Sequence, residues 1–147
     1  MGAVDRTILL VEDNSDDILL IGRALSQAQL ESSVSVVRDG EEAVAYLEAL
    51  SERPPNEIPS LLLLDLKLPR MSGLELLQWI RRHKKFKAMP VVVLTSSKLD
   101  ADLERAYAAG ANSFLTKPVD YQSLLDMVKA LKLYWLDLNR PPGKSIR

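Results

Sequence analysis

Few residues in this chain can do chemistry, and most are acidic or hydroxylic. Glu12 and Asp13 follow the apolar run Ile8–Val11, and Asp65 follows four leucines, Leu61–Leu64. Thr95, Ser96 and Ser97 follow Pro90–Leu94, and Thr116, Lys117 and Pro118 follow Ser113–Leu115. Cysteine is absent and His83 is the single histidine. This excludes disulfides, thiolate nucleophiles and Cys- or His-rich metal sites. Three carboxylates close together repel one another, and their pKa values rise unless a cation compensates. A hard divalent ion suits that role, and Mg2+ takes a few carboxylates while keeping water or phosphate oxygens. A carboxylate can also attack phosphorus, giving an aspartyl phosphate. Such transfer needs positioning and neutralised oxygens. Around Asp65, the Lys117 ammonium, the Thr95 hydroxyl and Mg2+ could supply the contacts.

These residues converge only if the chain folds to bring them together. The four runs named above read as buried strands, because they lack polar alternation. Val34–Val37 is weaker and reads as an edge strand. Between them lie segments whose apolar residues return every three or four positions, on one helical face. These are Asp16–Leu30, Glu41–Leu50, Gly73–Lys84, Ala101–Ala109 and Tyr121–Leu136. Strand and helix alternate five times, which implies parallel strands with right-handed crossovers. The expected fold is α/β, a doubly wound five-stranded parallel sheet between two helical layers. Ligands in such sheets bind beyond the carboxyl ends of the strands, where Glu12, Asp13, Asp65, Thr95 and Lys117 fall.

The chain has 147 residues, 19 Lys plus Arg and 20 Asp plus Glu. That is one domain's length, and a net charge of −1 gives no global drive toward nucleic acid or acidic membranes. No apolar run approaches a membrane span. The N-terminal MGAVDRT carries neither a signal-peptide core nor a myristoylation pattern, since Arg6 stands where Ser or Thr is needed. A cytoplasmic location is expected. The domain is expected over residues 6–136, with 137–147 as a polar tail and no output domain.

The segments VEDN (11–14), LLLLDLKLPRMSG (61–73), VVVLTSS (91–97) and FLTKP (114–118) together resemble the response-regulator receiver domain of two-component signalling. The resemblance implies a flavodoxin-like sandwich with strand order 2-1-3-4-5. It implies Asp65 as phosphoacceptor and Mg2+ held by Asp13, Asp65 and the Lys67 backbone carbonyl, with Glu12 acting through water. Thr95 would be the switch hydroxyl, Phe114 the switch aromatic, Lys117 the phosphoryl-binding amine, and the Lys117–Pro118 bond cis. The partners implied are a sensor histidine kinase and a downstream protein or phosphotransfer partner. The loop RPPNEIP (53–59) and the ending LKLYWLDLNRPP (131–142) are similar to the small stand-alone regulators of bacterial phytochrome kinases. A receiver-like adaptor that works without phosphorylation is the alternative. An Asp-nucleophile phosphohydrolase is disfavoured by Lys67, where a second acid is expected, and a flavodoxin-like FMN carrier by the lack of a Gly-rich loop.

Four further expectations concern the periphery. Asp16 and Asp17 read as carboxylates favouring a helix N-terminus. The run RRHKKFK (81–87) reads as a solvated helix end, with His83 exposed and uninvolved in phosphotransfer. The resemblance implies that Lys67 and Ser97, two residues after Asp65 and Thr95, influence how the hydrolytic water is placed, and a lysine at 67 is expected to hinder it and slow dephosphorylation. The last helix is apolar on more than one side, so Leu125, Leu133, Trp135 and Leu136 read as a homodimer interface.

Overall fold

The computed structural model describes residues 6–142. The first five residues, read above for export and lipidation signals, and the last five of the tail lie outside the described residues. Five strands, β1 (Ile8–Val11), β2 (Val34–Val37), β3 (Leu61–Leu64), β4 (Val91–Thr95) and β5 (Ser113–Thr116), form one parallel sheet in the order 2-1-3-4-5. The interior strands β1, β3 and β4 are buried along their whole length, while β2 and β5 at the edges are partly open. This explains why the first three read as continuous apolar runs and Val34–Val37 does not, and it corrects the reading of Ser113–Leu115 as buried, since β5 is the sheet's other edge.

Helices α1 (Ser15–Gln27), α2 (Gly40–Leu50), α3 (Gly73–Arg82), α4 (Asp100–Ala108) and α5 (Tyr121–Leu131) follow the strands in turn. Asn14, Asp39, Ser72 and Asp120 cap α1, α2, α3 and α5 by accepting from backbone N–H groups of the first turn. The pleat sorts the core into two layers. Leu9, Val11, Leu62, Leu64, Val91 and Val93 pack with α2, α3 and α4. Ile8, Leu10, Leu61, Leu63, Val92 and Leu94 pack with α1 and α5. No helix among the described residues is long and apolar enough to cross a membrane.

Three further expectations are corrected. First, α5 does not continue to Leu136 as an α-helix. It passes into a π-helical segment, Lys132–Leu138, so the last helical residue lies beyond the expected boundary at 136. Wider π turns bring residues five apart onto one face. Leu136 therefore returns beneath Leu131 and is 2% exposed, and Leu125 lies within the α5 core stripe. Neither can serve an intermolecular surface. Leu133 is 55% exposed and Trp135 partly so, and they are joined outside by Tyr134 and Leu138. Second, the Lys117–Pro118 bond is trans, in keeping with the ordinary preference of X–Pro bonds. Third, His83 is not exposed. Its ring packs between Trp79 and Phe86, with Nε2 3.4 Å from Glu48.

The basic run is only partly solvated, because Arg81 turns inward. Its guanidinium donates to the carbonyls of Gly110 (2.9 Å), Lys87 (3.1 Å) and Met89 (2.7 Å) and to Asn112 Oδ1 (2.9 Å). One cation thus ties the end of α3 to the entrances of β4 and β5. At this end of the sheet the tail meets the Pro-rich loop: Pro141 and Pro142, with Pro55, Ile58 and Met89, line a cleft of about 280 Å³.

Arg81→Met leaves three carbonyls and an amide oxygen without their charged donor, and should lower stability by about 3 kcal/mol. Arg82→Met, on the exposed side of the same turn, should change it by less than about 0.5 kcal/mol. Urea unfolding of both variants measures the contrast, and equal effects would show that Arg81 is not a structural pin.

Candidate functional site

Three strands deliver the acidic groups and the amine. The pleat that points Ile8 and Leu10 toward α1 carries Glu12 to the same side, and likewise Asp65 after Leu63 and Lys117 after Leu115. Backbone bonds extend the ladders past the strand ends: Glu12 N–H donates to the Val37 carbonyl (3.0 Å), Asp65 N–H to Val11 (3.1 Å) and Lys117 N–H to Thr95 (2.8 Å). Asn14 takes the cap of α1, which leaves the Asp13 carboxylate free of capping duty.

The Lys117 ammonium lies 2.7 Å from Glu12 Oε1, 2.7 Å from Asp17 Oδ2 and 3.2 Å from Asp65 Oδ2. Its side chain is only 11% exposed. Burial alone would lower its pKa, but hydrogen bonds to Asp17 and Glu12 and the charge of Asp65 outweigh it, so the amine stays protonated. Glu12 is 1% exposed. Burial pushes its carboxyl up to about 7, opposed by the Lys117 hydrogen bond and assisted by the charge of Asp65. Asp65 is also buried, and its Oδ1 accepts from the Lys67 N–H at 3.4 Å.

Asp17 corrects the sequence reading. Beyond lying in the first turn of α1, it is a direct partner of Lys117. No local signal marks it, since Asp17 and Lys117 lie 100 positions apart in the chain. Arg38 and Asp39 were also missed. The Arg38 guanidinium donates to the Asp13 carbonyl (3.0 Å) and to Ser15 Oγ (2.8 Å), and Asp39 pairs with Arg70 at 2.8 Å. Nothing in a local motif marks these pairings.

The hydroxyls sit apart. Thr95 is buried at the end of β4, on the face of Val91 and Val93, and its Oγ1 accepts from the Ser97 N–H at 3.4 Å. Phe114 lies beside Val93 in the ladder and is partly buried against the same core layer. Ser97 is buried and its hydroxyl donates to Asp102 of α4.

Carboxylate oxygens of Glu12, Asp13 and Asp65 fall within 4.8 Å of one another. The donors are all oxygen, two are buried, and no sulfur or imidazole joins them. Such a set fits a hard divalent cation such as Mg2+. In the metal-free protein the raised pKa of Glu12 has a definite sign. The folded state keeps a proton that the unfolded state has released, so stability falls as pH rises from about 4.5 to about 7. Glu12→Gln should flatten that fall. Thermal melts in chelator across this window check it, and an equally steep decline in the variant would remove Glu12 as its source.

Comparison with known proteins agrees with the geometry. Residues 8–129 match the family described as the response regulator receiver domain. The chain is 44% identical over 138 residues to the probable methanogenesis regulatory protein FilR2 of Methanothrix harundinacea, covering 94% of this chain and 88% of that protein. It is 36% identical to the response regulator Rcp1 of Synechocystis, with 90% of each covered. The Mn2+-bound form of Rcp1 superposes with a TM-score of 0.76 at 34% identity, covering 93% of this chain and 99% of that one. The phosphorylated cyanobacterial phytochrome response regulator RcpA superposes with a TM-score of 0.80 at 37% identity, covering 93% and 98%. This chain resembles these stand-alone regulators along nearly its whole length. From the matched segments, the strand order and the acid–lysine constellation alike, the chain belongs to the response regulator receiver domain family of two-component signalling.

Proposed function

We propose that Asp65 accepts a phosphoryl group from a kinase phosphohistidine. The observation that carries this reading is the Lys117 ammonium 3.2 Å from Asp65 Oδ2 and beside the acidic cluster. An Asp65 oxygen forms the new bond to phosphorus as the P–N bond to imidazole breaks. The imidazole nitrogen leaves with the electron pair and takes a proton from solvent. Lys117 holds negative charge on the transferred oxygens. Asp13, Asp65 and the Lys67 carbonyl would hold Mg2+ directly, with Glu12 holding it through water. When bound, the cation neutralises charge on the phosphoryl oxygens. Water later attacks phosphorus, restoring the Asp65 carboxylate and releasing phosphate. Lys67 and Ser97 flank that path, and Lys67 slows it.

Phosphorylation biases a two-state equilibrium at the Thr95–Phe114 face. Thr95 leaves its weak contact with Ser97 for the phosphoryl group, and Phe114 packs further inward. The changed face engages a downstream protein or a phosphotransfer partner. The likeness to Rcp1 and RcpA supports a phytochrome-type sensor kinase in the cytoplasm as donor. A homodimer is supported by the exposed Leu133, Tyr134 and Leu138 beside Trp135, next to the edge strand β5. Sedimentation that finds only monomer at high concentration, with and without a phosphoryl mimic, would end the dimer reading.

Intact mass after incubation with Mg2+ and acetyl phosphate tests the chemistry. Wild type should gain one phosphoryl group and Asp65→Asn none. A gain in both would place the phosphoryl group on a residue other than Asp65, and a gain in neither, even with a histidine kinase as donor, would favour the phosphorylation-independent adaptor. In the same assay Lys67→Asn should shorten the phosphoryl lifetime, and an unchanged decay would discard the role given to Lys67.

A further inference from the structure

The loop between β2 and α2 holds none of the reacting groups, yet it touches both loops that do. The Arg38 guanidinium donates to the backbone carbonyl of Asp13 at 3.0 Å and to Ser15 Oγ at 2.8 Å. The next residue, Asp39, is buried and faces the other way. Its Oδ2 pairs with Arg70 Nη1 at 2.8 Å, and its Oδ1 accepts from the Glu42 N–H at 2.7 Å. Glu42 Oε1 in turn accepts from the Arg38 N–H at 3.0 Å. Gly40 lies so close to the β3–α3 loop that a Cβ there would meet the Met71 carbonyl oxygen at 2.4 Å.

We infer that Arg38 and Asp39 are positioning residues that clasp the two halves of the cation site together, one through the Asp13 loop and the other through Arg70 and the Lys67 loop. This rests on the metal reading proposed above. Two observations separate positioning from simple stabilisation. The Arg70 side chain is 64% exposed while that of Asp39 is 9%, so solvent screens the pair from the arginine side, and the Asp39 carboxylate keeps the Glu42 N–H when Arg70 is lost. Arg70 also has φ +65°, a left-handed conformation that disfavours a residue with a Cβ. Glycine there would relieve that conformation. Strain kept at such a position points to function. The clasp fixes where the Lys67 carbonyl stands relative to the Asp13 carboxylate, which a hard cation of strict geometry would sense.

The test uses the full chain and Mn2+ as probe, with free Mn2+ counted by its paramagnetic resonance signal. Arg70→Gly removes the pair and relieves the backbone at once. It should melt no lower than wild type yet bind Mn2+ about tenfold more weakly, the scale of other outer-shell changes at metal sites. Arg38→Met should also weaken binding, and Arg70→Lys, which keeps the charge, should recover most of the affinity. At saturating Mg2+ the labelling of Asp65 by acetyl phosphate should stay near wild type, because every reacting group is intact. Asp13→Asn is the control. If it loses Mn2+ while Arg70→Gly and Arg38→Met bind as wild type does, the clasp is overturned and the metal reading stands. If Asp13→Asn itself binds normally, the metal reading falls and takes the clasp with it.

Discussion

A buried ammonium among three carboxylates is the constraint on which the rest of this structure depends. Removing charges from water is costly, and the attraction between them compensates only when geometry is tight. Lys117 meets that demand from β5, Glu12 from β1, Asp17 from α1 and Asp65 from β3. Four elements must arrive in register before the charges are satisfied. The parallel sheet provides that register, since β1 and β3 end level with each other, Val11 opposite Leu64. The arrangement still leaves a net negative cluster, because Asp13 stands beside these groups without a cationic partner of its own among the described residues. The site is therefore stable enough to fold and charged enough to want a cation.

The elements were legible where chemistry is local. Leu61–Leu64 reads as a buried strand because nothing polar interrupts it, and its bounds match the fold. Asp65 stands out because it ends that run alone. Helix spans drifted at their ends, as with α1, which closes at Gln27 rather than Leu30. The strand order came from family resemblance, since no local pattern encodes which strands pair. Asp17 was assigned to the helix dipole because its partner lies 100 positions away in the chain. Arg81 was counted with its solvated neighbours for the same reason. Leu136 was placed on the wrong face because a period of 3.6 residues was carried through a segment that winds more widely. Each of these misses is a long-range contact or a change of helical period, and neither leaves a mark in a short window.

The two ends of the sheet divide the work. Beyond the carboxyl ends stand the acids, Lys117 and the hydroxyls. At the opposite end, Arg81 closes the entrances of β4 and β5 while the tail packs toward the Pro-rich loop. Charge is used differently at each: shared among partners and unbalanced at one, saturated by carbonyl oxygens at the other. This also answers the basic run. Its most buried guanidinium is consumed by backbone oxygens, which leaves less of the run to present to a polyanion than its composition suggests.

β3 has neighbours on both edges and leucines on both faces, all of them fully buried. Its amides can exchange with solvent only when the whole domain opens, so they belong to the slowest class of exchanging hydrogens. Asp65 is anchored to the end of that strand. The Asp65 carboxylate consequently has the lifetime of the fold itself, and local openings elsewhere in the domain leave it in place.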